Sequence, residues 1–544
     1  MICKQCQSEF EHLSGEEDAY KKFQCPPPSE CSDCRKRRRM SFRNERRLYH
    51  NKSHKSGRLI ITLYPPDTPF KIIDQDEWWD DSFDATEYGR DYDFSRPFFE
   101  QFRDLQRDVP RWSRIFMNCE NSDFTNNCAN TRNSYLAFSC HDSEDLYYCV
   151  RSNRSNNCID CHTISACEYC SSCIDCDKCH NVHFSQSAEN SHDSYYLFDC
   201  NACSDCIMCV GLRQAKYRIL NKQYTKEEYE KYKKDFLKRL WTDGKNIEAM
   251  FEDLKKQIKH RNVQIINSDN CSGNFIVNSK NVTNGFNISD SQDCINVFHS
   301  DRLKNCYDNH YNDKSELCLE CDTCYEAYNS KFSTYFVSGK NVQYCDQCFF
   351  IENCFGSIGL KKKKNMILNQ EYSETDYKIM LNKIRSHMQE TGEYGKPFPA
   401  TLSAFAYNET VAHESYPMTK EEAQAQGYFW HEDAEEAQHF GNKYEIPNTA
   451  EETDESICEK ILTCEVSEKN YKLIPQEYKF YRKFKLPLPR KCPDQRYKAL
   501  LGLRTKEQLR STKCDDCGSS IKTAYKKDEP FKIICEKCYL KTVY

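Results

Sequence analysis

From Phe116 to Leu212 every third residue is uncharged, at all 33 positions of that frame, in a chain of 544 residues of which 29% are Asp, Glu, Lys or Arg. A strand repeats every two residues and a helix every 3.6, so neither produces the pattern. The frame contains every cysteine between residues 112 and 212, among them Cys119, Cys128, Cys140, Cys149, Cys158, Cys161, Cys167, Cys170, Cys173, Cys176, Cys179, Cys200, Cys203, Cys206 and Cys209. A narrow β-solenoid accounts for it, because a tight coil turns one residue in three toward a lumen too thin for large side chains.

A second period gives the coil length. Asn or Asp recurs every twelve residues at Asn121, Asn133, Asp145, Asn157, Asn181, Asp193 and Asp205, with Tyr169 the exception. These residue types tolerate corner conformations and hydrogen-bond their own backbone. Runs such as Leu146–Val150 and Ser194–Phe198 read as strands whose aromatic side chains stack outside the wall. The pattern returns 148 residues later, with corners at Asp269, Asn281, Asp293, Asn305, Asn329, Asn341 and Asn353. An uncharged frame runs there from Asn270 to Leu360 and includes Cys294, Cys306, Cys318, Cys321, Cys324, Cys345, Cys348 and Cys354; Cys271 breaks step. Each copy closes alike, at Ile219-Leu220-Asn221 and Ile367-Leu368-Asn369. A helix is predicted after each, opened by Thr225 with Glu228 and by Ser373 with Asp376.

The two ends of the chain are copies as well. Shifted by 461, residues 3–78 align without a gap on residues 464–539: Cys3 meets Cys464, Tyr20 meets Tyr481, Cys31 meets Cys492, Arg35 meets Arg496, Arg43 meets Arg504. Each copy has room for two zinc ribbons and has kept a different one. The first retains Cys3-x-x-Cys6 and Cys31-x-x-Cys34, with Ser53, Ser56, Asp74 and Glu77 where a second set would stand. The last retains Cys514-x-x-Cys517 and Cys535-x-x-Cys538, with Cys464, Ser467, Cys492 and Gln495 at the other set, and Cys458 nearby leaves room for an irregular third site. Two Cys-x-x-Cys knuckles deliver the four ligands of tetrahedral zinc, and all-sulfur coordination leaves no open position for a reacting water. Two structural zinc ions are expected.

No apolar run approaches the roughly 20 residues of a membrane span. With no apolar leader at the start and zinc-spaced cysteines, the chain is expected to be cytoplasmic, with reduced thiols. The net charge of −6 conceals segregation. Residues 35–58 hold eleven basic residues against Glu45, and residues 67–108 hold thirteen acidic against five basic.

The strings from Cys34-Arg35 to Leu48-Tyr49, from Tyr88-Gly89-Arg90 to Gln101-Phe102, Tyr407-Asn408-Glu409-Thr410 and Cys492-Pro493-Asp494-Gln495-Arg496 resemble a family of uncharacterised zinc-ribbon proteins from uncultivated bacteria. The resemblance spans nearly the whole chain and implies zinc binding but no activity.

The expected fold is mainly β with some α. It comprises an N-terminal ribbon module (1–78), an acidic aromatic connector (79–112), a first β-solenoid (113–221), capping helices (222–260) and a second β-solenoid (261–369). A capping helix (370–394), an irregular linker or small cap (395–453) and a C-terminal, treble-clef-like ribbon module (454–544) complete it. The expected function is non-enzymatic nucleic-acid binding through the basic element after the first ribbon, with a protein-binding scaffold as the alternative and metal in the lumen as a third reading. Arg35, Arg37, Arg38, Arg39, Arg43, Arg46 and Arg47 offer phosphate-binding guanidiniums, which makes RNA or DNA a candidate partner; the same arginines would be silent if paired with the acidic stretch after Asp67. A protein partner fits instead if solenoid faces carrying Tyr135, Tyr147, Tyr195, Tyr196 and Phe198 form an exposed strip. Metal in the lumen, held by Cys167, Cys170, Cys173, Cys176 and Cys179, is the third, against the plainer role of small core residues. No nucleotide loop, His-Glu-x-x-His or nucleophile elbow marks an enzyme, and no small-molecule substrate is implied.

Overall fold

The computed structural model describes residues 1–301, 310–313, 316–320, 322–325, 328–432, 444–447 and 451–543. Cys306, Cys321 and Asn305 lie outside them. Two compact units form, and neither is continuous in sequence. One gathers Met1–Arg114, Val263–Glu432 and Glu507–Arg510; the other gathers Ile115–Asn262, Asp433–Lys506 and Ser511–Tyr544. The N-terminal module thus packs with the second cysteine-rich stretch, and the C-terminal module with the first.

Each unit is mixed α/β around a thirteen-stranded, mainly parallel sheet. In the first ladder the strands pair at a constant offset of twelve: His162 lies beside both Val150 and Ile174, and Ile164 beside Ser152 and Cys176. Backbone bonds link successive repeats in two directions, as in Val150 N–H to the Cys161 carbonyl at 2.9 Å and Arg151 N–H to the Phe138 carbonyl at 2.8 Å. All the Asn and Asp corners of this ladder are left-handed, and so is Tyr169. They are one of four such positions per repeat: from Asn127 to Met208 every third residue has φ near +50°, including Leu136, Tyr148, Phe184 and Met208. The left-handed conformation costs a non-glycine residue about 1–2 kcal/mol, and the surrounding ladder must hold it.

The third-residue frame does face inward. From Cys128 to Cys209 its cysteines are at most 2% exposed. Each thiol is satisfied by the backbone: Cys173 Sγ donates to the carbonyls of Ser171 at 3.3 Å and Val182 at 3.2 Å, two residues back and nine ahead. Serines in the same frame also accept, as Ser155 does from Cys167 N–H at 3.1 Å. Small residues that carry their own hydrogen-bonding group suit a narrow core lined with carbonyls, and burial pushes the thiols of Cys140, Cys161 and Cys170 upward.

The second ladder corrects one expectation. Its opening repeat has eleven residues, so Asp269 pairs with Lys280 and Asn270 bonds Asn281 at 3.0 Å, and the register returns to twelve after a shift between Cys271 and Gly273. Upstream of that shift Asn270, with φ 50°, takes the corner assigned to Asp269. Cys271 therefore keeps step: its Sγ reaches the carbonyls of Asp269 and Ser279, one behind and one ahead, as Cys173 does in the first ladder. Glycine is required at the shift, since Gly273 has φ 143° and a Cβ there would lie 1.7 Å from the Gly285 carbonyl oxygen.

Both ladders end as the repeated sequence predicts. Asn221 inserts its side-chain amide where a further repeat would go, accepting from Val210 N–H at 2.8 Å and donating to its carbonyl at 2.9 Å. Asn369 does the same to Ile358, at 2.8 Å in both directions. Helix Lys226–Thr242 then starts on a full Thr225/Glu228 capping box, and helix Glu374–Glu390 on Ser373.

Tyr147, Tyr195, Tyr196 and Phe198 are not exposed, and Tyr135 packs against the same cluster. Helices Lys226–Thr242 and Gly244–Gln257 cover them, with Tyr195 5.7 Å from Phe236 and Tyr196 5.4 Å from Phe251, together with Leu462, Tyr478 and Phe480 of the last module. The acidic connector lies on the second ladder, where Arg111 pairs with Asp346 at 2.8 Å, Asp84 with Lys363 at 2.9 Å and Trp112 packs on Phe349. Among the described residues no helix is long and apolar enough to cross a membrane.

Candidate metal centres

Four knuckles, two per module, share one backbone pattern. In the first, Cys3 N–H donates to the Ser8 carbonyl, Gln7 N–H back to that of Cys3 and Lys4 N–H across to that of Ser29, at 2.9, 3.0 and 3.0 Å. The pattern recurs from Cys514 to Ser519 and Ile533, from Ser53 to Arg58 and Ile72, and from Cys464 to Lys469 and Arg490, all between 2.7 and 3.1 Å. The left-handed turn residue is Gln7, Gly518, Gly57 or Glu468. Knuckle geometry is therefore a property of the backbone and survives where the cysteines are gone.

Sulfur completes two of the four. The Sγ atoms of Cys3, Cys6, Cys31 and Cys34 lie within 4.8 Å of one another, as do those of Cys514, Cys517, Cys535 and Cys538. Cys6 and Cys31, and Cys517 and Cys535, are 3.8 Å apart. Four thiolates about 2.3 Å from a tetrahedral ion stand about 3.8 Å apart, the spacing of these pairs, and the other sulfurs lie within reach of the same centre. In each, a backbone N–H also points at a buried sulfur, Cys31 to Cys3 and Cys535 to Cys514, both at 3.3 Å, which favours the thiolate. Burial raises the Cys6 thiol, but hydrogen bonds from Ser8 and the neighbouring thiols outweigh it and bring it to about 6; Cys517 reaches about 6 chiefly through Ser519. Among the described residues the lumen cysteines form no comparable group.

The second knuckle of the first set opens helix Ser32–Met40, with Cys31 as its N-cap, and this helix carries most of the arginines read as phosphate ligands. Arg35, Arg38, Arg39 and Arg43 are 1%, 8%, 3% and 2% exposed. Arg35 pairs with Glu16, Arg38 with Glu320 at 2.8 Å and Glu30 at 3.1 Å, and Arg43 with Glu45 at 2.7 Å. Arg37 donates to Gln426 at 2.7 Å and lies 3.7 Å from Cys34 Sγ; Arg46 meets Glu414 at 3.3 Å; Arg47 is more open. The carboxylates serving Arg35, Arg38 and Arg43 come from outside residues 67–108, contrary to the alternative that the acidic stretch neutralises them. Tyr407, Val411, Ala412 and Tyr428, from the segment read as irregular, pack around Met40 of the helix.

Sequence reasoning missed the anchor these groups build. Glu320, at the ladder, accepts from Tyr20 at 2.8 Å and from Arg38. In the other unit Asp160, left-handed with φ 52°, accepts from Tyr481 at 3.1 Å and Arg496 at 2.5 Å, while Arg496 also binds Glu477 at 2.7 Å. Tyr20, Arg35 and Glu16 correspond to Tyr481, Arg496 and Glu477 under the 461-residue shift, so the module side was legible; the ladder carboxylates were not.

No family model and no curated protein matches the chain.

Proposed function

We propose that the protein is a non-enzymatic scaffold: two narrow β-solenoids, each locked to a ribbon module, with one structural zinc at either end of the chain. The burial of Arg35, Arg38 and Arg43 against carboxylates carries this choice over nucleic-acid binding, because phosphate could reach them only by breaking buried ion pairs. Zinc is supported by the all-sulfur sets, which leave no position for catalysis, and a reducing compartment by cysteines spent on knuckles and lumen. The resemblance to zinc-ribbon proteins of uncultivated bacteria agrees with this. What remains open to a protein partner is polar and regular, with side-chain rows such as Asn118, Asn130 and Asp142 linked at 3.2 and 2.7 Å.

Native mass spectrometry should find two zinc ions per chain, and C6S and C517S should each lose one. Retention of the intact protein on RNA and DNA, followed from about 50 to 200 mM salt, should be weak and nearly flat. Strong retention falling steeply with salt would reverse the choice in favour of nucleic acid.

A further inference from the structure

The ribbon that lost all four cysteines keeps its knuckle, and one side chain ties its two halves together. Glu77 Oε2 accepts from the Ser53 hydroxyl on the first half and from Asp74 N–H, at 3.2 Å, on the second. Arg58 Nη2 lies 3.5 Å from both Glu77 and Asp74. Ser53, Ser56, Asp74 and Glu77 are the positions that hold Cys514, Cys517, Cys535 and Cys538 in the last ribbon. We propose that the Glu77 carboxylate does here what a metal ion does in the intact ribbons, so that each module joins a metal-dependent ribbon at the chain end to a metal-independent one inside it.

Three observations converge on this. The bonds replace the ion's connectivity, since an ion links both knuckles and so does Glu77. The charge changes in step: four thiolates and a divalent cation, net −2, give way to two carboxylates and one arginine, net −1, and that arginine, 60% exposed at the rim, is too solvated to fasten the halves. Hydrogen bonds from Ser53, Ser56 and Asp74, with Arg58, overcome burial and hold Glu77 below the usual carboxylate range, which marks it as ionised. The inner ribbon of the last module follows the same rule by other means. Its Cys464 and Cys492 are buried, Ser467 Oγ is 3.6 Å from Cys492 Sγ, and the ribbon sits in the unit's apolar cluster.

The proposal rests on metal occupying the two outer sets, and amide hydrogen exchange of the full chain separates the two. Zinc removal by a chelator should accelerate exchange at residues 3–8 and 514–519 and leave 53–58 and 464–469 unchanged. E77A should accelerate exchange at 53–58 about tenfold or more with zinc present, as expected on losing charge-assisted bonds, while E77Q, which keeps an acceptor, lies between. S53C/S56C/D74C/E77C should bind a third zinc and make 53–58 chelator-sensitive. Unchanged exchange at 53–58 in E77A, or chelator sensitivity there in the parent chain, would overturn the proposal; a parent chain without zinc would refute the metal reading yet leave the E77A result standing.

Discussion

At the scale of single residues, the two units solve one problem with opposite titration behaviour. Burial works to raise Glu320, but Arg38, Arg39 and Arg35 outweigh it and hold its carboxyl at about 2. A depressed folded pKa adds stability that is complete above the unfolded value of about 4.3 and disappears as pH falls toward 2. Asp160 and Glu477 share Arg496, and burial dominates both, so their carboxyls are raised and their cost is relieved in acid. Acid unfolding followed between pH 5 and pH 2 should therefore affect the unit containing Glu320 first. E320Q should destabilise that unit at neutral pH by about 3–5 kcal/mol, the usual result of removing one member of a buried ion-pair set, and should flatten its loss over that window. An E320Q chain with parental stability would mean that the anchor contributes nothing. The arginines announced themselves in the sequence by number, and Glu16, Glu30 and Glu45 lay close by, but Glu320 and Glu414 lay hundreds of residues away, and composition does not encode distance in space.

Among the elements, the twelve-residue strand offset was the most legible feature because the narrow core restricts residue type at every third position over long runs. Three of the four left-handed positions per repeat escaped notice because the ladder forces that backbone on Leu136, Tyr148 or Met208 as readily as on Asn. The eleven-residue opening of the second ladder was hidden for a related reason: a single deletion leaves residue types nearly unchanged while moving each to the next position. Gly273 carries the cost of that deletion. G273A should lower unfolding free energy by about 2–4 kcal/mol, because the added Cβ meets a backbone atom that cannot withdraw. In the cysteine core, C173S should be mild, as serine fills the same frame elsewhere, whereas C173L should cost about 1–3 kcal/mol through overpacking. Denaturant titrations of the three variants check this, and a tolerated C173L would mean the core is looser than its burial implies.

For the molecule as a whole, order along the chain and packing in space disagree. The internal copies were visible as a 148-residue and a 461-residue shift, yet nothing in either shift says which module meets which ladder. The answer is that each pairs with the distant one. Removing residues 454–544 should therefore damage the first ladder rather than the second, by uncovering Ile159, Tyr195 and Ile207, which pack in one cluster with Leu462 and Tyr478. Binding of an apolar dye and loss of protection within residues 115–220 would register it.

The separation of Arg38 from Glu320, 282 residues along the chain, sets a schedule for biosynthesis. At about 5–20 residues per second a ribosome takes roughly 15–60 s to supply the glutamate after the arginine has emerged. Throughout that interval Arg38 has only Glu30 of its two carboxylates, and only later translation supplies the second.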